Sequence, residues 1–270
     1  MARPLFPLSA RAHLALAVLF VALVCWLALL WLVFDHCHPL AVMTMPMSPT
    51  WTAGNALAVL VMWFVMMVGM MLPSAWPMVA MHKKMATRQG RIKESYLFAS
   101  AYVLMWLFFS VAAVLLQWVF QLQKAINPAS LTTSTTISVL LLLLAGLFQF
   151  SKLKAACLEK CRSPVGFFMT HWAAGPTGAL KMGLRHGLFC LGCCWALMLL
   201  LFVGGVMNLF WVLILTMAVI AEKIFPWGLL MSKALGGVLL AAAAYLAISA
   251  YFSPTGSAMG SHAMGCMAGA

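Results

Sequence analysis

Apolar residues in this chain run in long blocks with polar residues confined to the gaps, a pattern unlike the alternation of a half-buried strand or the one-sided stripe of a soluble helix. Seven blocks, roughly 14–34, 55–79, 97–120, 132–150, 187–205, 207–225 and 234–252, match the length of about 20 helical residues that crosses a bilayer core. They predict an all-α, polytopic transmembrane bundle of about seven helices. Residues 1–253 then form the membrane domain, which includes a Cys-containing loop at 151–186, and residues 254–270 form a flexible tail.

Composition agrees, with 65% hydrophobic and only 7% charged residues and a mean hydropathy of +1.05. A formal charge of +12 raises the question of nucleic acid, but the basic residues fall in the short connections between blocks. Arg3, Arg11, Lys83, Lys84, Arg88, Arg91, Lys93, Lys152, Lys154, Lys160, Arg162, Lys181, Arg185, Lys223 and Lys233 lie on one predicted side, leaving Lys124 alone on the other. The charge is therefore a topology signal. The positive-inside rule places the N-terminus and the 151–186 loop in the cytoplasm and the C-terminus outside, and no nucleic-acid partner is implied. The first block exceeds a signal-peptide core and is followed by Asp35-His36-Cys37-His38-Pro39, with no small-x-small cleavage pattern, so it reads as a retained helix.

The chemistry is concentrated in Met182-Gly183-Leu184-Arg185-His186-Gly187-Leu188-Phe189-Cys190-Leu191-Gly192-Cys193-Cys194-Trp195-Ala196-Leu197-Met198. Each four-residue step turns a helix by only about 40°, so Met182, His186, Cys190, Cys194 and Met198 drift along one broad face with Cys193 beside it. Imidazole, thiolate and thioether favour Cu(I), Zn(II) or iron–sulfur centres over Mg or Ca. The second block adds Met66, Met67, Met70, Met71 and Met78, then His82, with Pro73 and Pro77 expected to kink or open the helix. Such a methionine stripe also suits plain core packing. Cys157 and Cys161 place two thiols four apart, a spacing found at zinc sites, although two ligands do not make a site. His36, Cys37 and His38, with Met43, Met45 and Met47 alternating around Pro46 in an expected extended chain, put further soft donors outside, as does the tail Met259–Met267. Cys37 and Cys266 can pair there, and Cys25 reads as packing. Glu222 is an acid inside an apolar block, costly unless paired or functional, with Lys223 as its obvious neighbour.

Read together, Trp63…Met70-Met71-Leu72-Pro73-Ser74, Cys157-x-x-x-Cys161-Arg162-x-Pro164, Trp172-x-x-Gly175-x-x-Gly178-Ala179, Met182-Gly183-x-x-His186-Gly187-x-x-Cys190-x-Gly192-Cys193-Cys194-Trp195-x-Leu197-Met198 and Glu222-Lys223-x-x-Pro226-x-Gly228 resemble the bacterial predicted metal-binding integral membrane proteins, a domain-of-unknown-function family. The resemblance covers roughly residues 55–250. It implies a multi-pass protein of the bacterial inner membrane with a metal role, described as copper handling.

Three functions are open on this reading. The first is soft-metal binding, with Cu(I) transported or loaded into a partner, and a periplasmic metal carrier or client metalloenzyme as the protein partner. Cys190, Cys193 and Cys194 would form the main site, completed by His186 and a methionine of the second block. The second is a membrane thiol oxidoreductase acting with a quinone, for which Cys190-x-x-Cys193 has the spacing. The third is an assembly subunit in which the cysteines hold zinc. No ATP-binding loop accompanies any of them, no catalytic residue is identified, and the oligomeric state is open.

Overall fold

The structure, a computed structural model, describes residues 8–35, 38–46, 50–127 and 131–252. Within them the chain is built of helices: α1 (Leu8–Phe34), α2 (Pro39–Thr44), α3 (Ala53–Arg88), α4 (Lys93–Leu122), α5 (Thr135–Gln149), α6 (Lys152–Arg162), α7 (Pro164–His171), α8 (Pro176–Leu199), α9 (Leu201–Gly204), α10 (Leu209–Ile224) and α11 (Gly228–Phe252). A two-residue antiparallel ladder, β1 (Ile126–Asn127) with β2 (Thr132–Thr133), closes the turn between α4 and α5, pairing Ile126 with Thr133 and Asn127 with Thr132.

Five stretches, Ala15–Phe34 of α1, α3, α4, Pro176–Gly204 and α11, are long and apolar enough to cross a membrane. The pair α5 and α6, bent by 65°, makes a sixth if taken as one span. The sixth block of the sequence, 207–225, corresponds to α10, whose 16 residues reach only about 24 Å at 1.5 Å per residue, short of a core about 30 Å thick. The chain is thus an all-α protein with the helices of a membrane protein. Large apolar side chains such as Phe20, Phe108, Leu230 and Tyr245 face outward, as a lipid-facing surface requires.

Helix α3 is the central element. It starts at a reciprocal cap in which the Thr52 hydroxyl accepts from the Asn55 N–H while the Asn55 side chain accepts from the Thr52 N–H. It then runs 36 residues with Pro73 and Pro77 inside it, so the expected opening at the prolines does not interrupt the helix. Two side-chain donors converge on the turn before Pro73: Ser74 Oγ donates to the Met71 carbonyl at 2.8 Å and Tyr102 Oη donates to the same carbonyl at 3.2 Å. Helix α4 is tied to α3 by Trp63 Nε1, which donates to Gln117 Oε1 at 2.7 Å.

Helix α8 packs most extensively on α4, and Gly183 allows it. A Cβ on Gly183 would run into the Phe98 carbonyl, so only glycine permits that approach of the two backbones. A similar crossing joins α5 to α11, where a Cβ on Gly146 would sit 3.3 Å from the Gly236 carbonyl and one on Gly236 would sit 3.1 Å from that of Gly146.

The 151–186 segment is folded into the bundle. Ser151 caps α6, its hydroxyl accepting from the Lys154 N–H at 3.0 Å, and α6 lies on α8 with Lys154, Cys157 and Leu158 buried. Residues Pro164–His171 form α7, which buries Phe167 and Phe168 against Met78, Val79, Phe98 and Met182. The outer methionine segment also differs from expectation. Residues 39–44 form a helix, with Pro39 at its first turn and the His38 ring accepting from the Leu40 N–H at 3.3 Å, so Met43 lies in a helix instead of an extended chain. His36, Cys37, Met47 and the tail, with the expected pairing of Cys37 and Cys266, lie outside the described residues.

Candidate metal centre

The drifting face of α8 is buried along its length. Met182, His186, Cys190, Cys194 and Met198 are all enclosed, as is Cys193. The Cys193 and Cys194 thiols donate back to the Cys190 carbonyl at 3.1 and 2.9 Å, the local bond a short polar side chain forms in a helix interior with no better partner. Cys193 Sγ lies 3.9 Å from Cys161 Sγ of α6. Cys157 rests on Gly192, where an added Cβ would stand 3.0 Å from its sulfur.

Cys190 has the richest surroundings. Its sulfur is 3.2 Å from Tyr102 Oη of α4 and 3.0 Å from Lys223 Nζ of α10. The same ammonium lies 3.0 Å from Ser74 Oγ and 4.0 Å from Met71 Sδ, both on α3. Cys190 thus faces the methionine helix. Met66, Met67, Met70 and Met71 are buried in the hydrophobic core that also contains Cys190, Cys193 and Cys194. Their packing role is evident, and among these four Met71 reaches the Lys223 ammonium that also contacts the thiol.

One turn from Cys190, His186 is buried with neither ring nitrogen hydrogen-bonded. Its ring packs between Phe98, at 6.0 Å, and Tyr102, at 5.3 Å, with Phe167 at 5.7 Å. On the other side of Phe98, His82 stacks at 4.6 Å, its Nδ1 3.3 Å from Ser95 Oγ and its Nε2 unpartnered. Met78 and Met182 belong to the same cluster. A buried polar atom left without a partner costs about 1–3 kcal/mol, so three unpartnered imidazole nitrogens in one aromatic pocket need a reason.

Glu222 does not pair with Lys223. Its carboxylate accepts from Lys154 Nζ of α6 at 2.6 Å and from Gln149 Nε2 of α5 at 3.1 Å, while Gln149 Oε1 accepts from Ser232 Oγ of α11 at 2.8 Å. Adjacent helical residues diverge by about 100°, so Glu222 points into this polar network and Lys223 points into the thiols. The sequence reading missed Lys223, Tyr102 and Ser74 as neighbours of Cys190. The available signal was the lysine itself, an ionisable group at the end of an apolar block.

The soft donors are therefore neighbours without forming a closed ligand set. Among the described residues no three His, Cys, Asp or Glu side chains are grouped to hold a metal ion as they stand. Lys223 and Tyr102 take the contacts of Cys190, and Cys193 and Cys194 turn their S–H groups to the backbone. His38 lies far along the chain from this cluster, at the cap of α2 and against Trp31 at 4.8 Å.

Compared with known proteins, residues 60–246 match the model of the family PpoB2, described as a copper chaperone. No curated protein and no solved structure matches the chain.

Proposed function

The chain belongs to the PpoB2 copper chaperone family, and from that premise we propose that it holds Cu(I) at Cys190 in the bacterial inner membrane and passes it to a client metalloprotein. The observation that carries this reading is the meeting of a buried thiol, a thioether and further thiols from separate helices. Cys190, Cys193 and Cys194 come from α8, Cys161 from α6 and Met71 from α3. Cu(I) is satisfied by two or three such ligands, whereas a closed zinc site takes four. His186, four residues before Cys190 on the same helix face, is the next station, with Met182, Met78 and His82 beyond it. Its free nitrogens are ligands waiting for a cation. Cys157 and Cys161 form the flank through which copper arrives at or leaves Cys193. Met66, Met67 and Met70 line the core behind the site.

On the charge pattern, the N-terminus and the segment from α6 to α8 face the cytoplasm. Outer donors, including His36, Cys37 and His38, serve exchange with a periplasmic carrier or client.

The test is metal analysis of anaerobically purified protein, wild type against a Cys190→Ser, Cys193→Ser, Cys194→Ser triple variant, with X-ray absorption to identify the ligand atoms. Copper bound through sulfur in the wild type and lost in the variant is the expected result. Stoichiometric zinc instead of copper, or copper retained by the variant, sinks the reading.

A further inference from the structure

We infer that Lys223 supplies a resident cation at the cargo position, its ammonium holding Cys190, Met71 and Ser74 together and giving way when a monovalent soft cation enters. The inference rests on the reading of Cys190 as a copper ligand and adds how that site is kept and opened.

An ammonium has three N–H donors, and Lys223 Nζ meets three acceptors from two helices: Cys190 Sγ at 3.0 Å, Ser74 Oγ at 3.0 Å and Met71 Sδ at 4.0 Å. Ser74 is free to accept because its own hydrogen goes to the Met71 carbonyl. Two of the three acceptors are sulfurs, an unusual choice for a strongly hydrated point charge and an ordinary one for Cu(I). The neighbouring carboxylate, Glu222, is already occupied by Lys154, and among the described residues no acid is paired with Lys223.

Charge explains why a lysine suits the position. Changing the net charge of a buried membrane site is costly. Exchanging an ammonium for Cu(I) trades one positive charge for another and leaves the net charge unaltered, whereas Zn(II) entering the same position leaves a surplus. The lysine also has an exit. It is the next-to-last residue of α10, only partly buried, with Ile224 and Phe225 exposed beside it. Its flexible stem can therefore carry the ammonium to the interface, where the C-terminal end of the helix favours a positive charge.

The experiment is acylation of lysines with a water-soluble amine reagent on anaerobic protein, read by mass spectrometry with and without Cu(I), and with Ag(I) and Zn(II) in parallel. Exposed Lys152 and Lys181 are internal references. Labelling of Lys223 is expected to rise several-fold with Cu(I) or Ag(I) and to stay level with Zn(II). A folded Lys223→Leu variant is expected to bind Cu(I) about tenfold more tightly, if the lysine-out state is about a tenth of the wild-type population. Copper bound in a Cys190-dependent way with no change in Lys223 labelling overturns this inference and leaves the chaperone reading intact. Loss of copper binding in folded Lys223→Leu overturns it as well, by making the lysine a support. Copper binding indifferent to Cys190→Ser removes the chaperone site and the inference with it.

Discussion

Truncating either partner of the Lys154–Glu222 pair is expected to be among the most damaging single changes outside the thiol site. The two groups are 2.6 Å apart with side-chain exposures of 1% and 3%, so neither charge can recruit water when the other is removed. Breaking such a pair costs about 3–5 kcal/mol, and Gln149, which donates to Glu222 and accepts from Ser232, would lose its bridging role too. Because these residues come from α5, α6, α10 and α11, the damage should loosen four helices at once. Lys154→Ala and Glu222→Ala are each expected to lower stability by that amount in mixed-micelle unfolding. The double variant Lys154→Met, Glu222→Leu removes both charges and fills the space, and should recover most of the loss, since replacing a buried pair by apolar groups is often neutral. Copper loading should survive in the double variant, because Lys223, not Glu222, faces Cys190. A single-variant loss below about 1 kcal/mol, as at an exposed pair, or a double variant as unstable as the singles, refutes the argument.

The soft-ligand face of α8 was legible because helical periodicity alone brings residues four apart together, and every member of that face is buried. The family resemblance rested on the same residues. What the sequence concealed was the partner from each other helix. Lys223 stands beside Glu222 in the chain, so local reasoning pairs them, yet the turn between neighbours sends one to Lys154 and the other to Cys190. Tyr102 carries no local sign of its task in an otherwise apolar helix; only the contact of α4 with α8 across Gly183 brings it to the thiol. The fold of the 151–186 loop was concealed for a related reason. A short, partly charged stretch looks like a surface connection until its buried lysine finds a carboxylate from α10. The prolines of α3 illustrate the opposite error, since each signals a local break in the sequence, yet the helix runs on through both.

Further outcomes follow from the same contacts. Gly183→Ala would press a methyl group on the Phe98 carbonyl and is expected to cost about 1–3 kcal/mol by overpacking, while Gly237→Ala, which meets nothing within 4 Å, should be tolerated in the same thermal-melting assay. Reporter fusions after Asn127 are expected to read as external and fusions after Lys160 as cytoplasmic; the reverse pattern inverts every side assignment. Last, His186→Phe separates stability from function. The ring sits flat among Phe98 and Tyr102 with both nitrogens unpartnered, so a phenyl ring preserves the stack and removes the uncompensated polar atoms. If the imidazole is kept for packing alone, the variant should gain about 1–3 kcal/mol in unfolding experiments and release Cu(I) to an acceptor at the wild-type rate. If it is kept as a ligand, the variant should gain about 1–3 kcal/mol in unfolding experiments and yet release Cu(I) to an acceptor more slowly, with Cys190-bound copper unchanged. A variant that is less stable than wild type would mean that the imidazole nitrogens have partners after all, and the station next to Cys190 would have to be sought elsewhere.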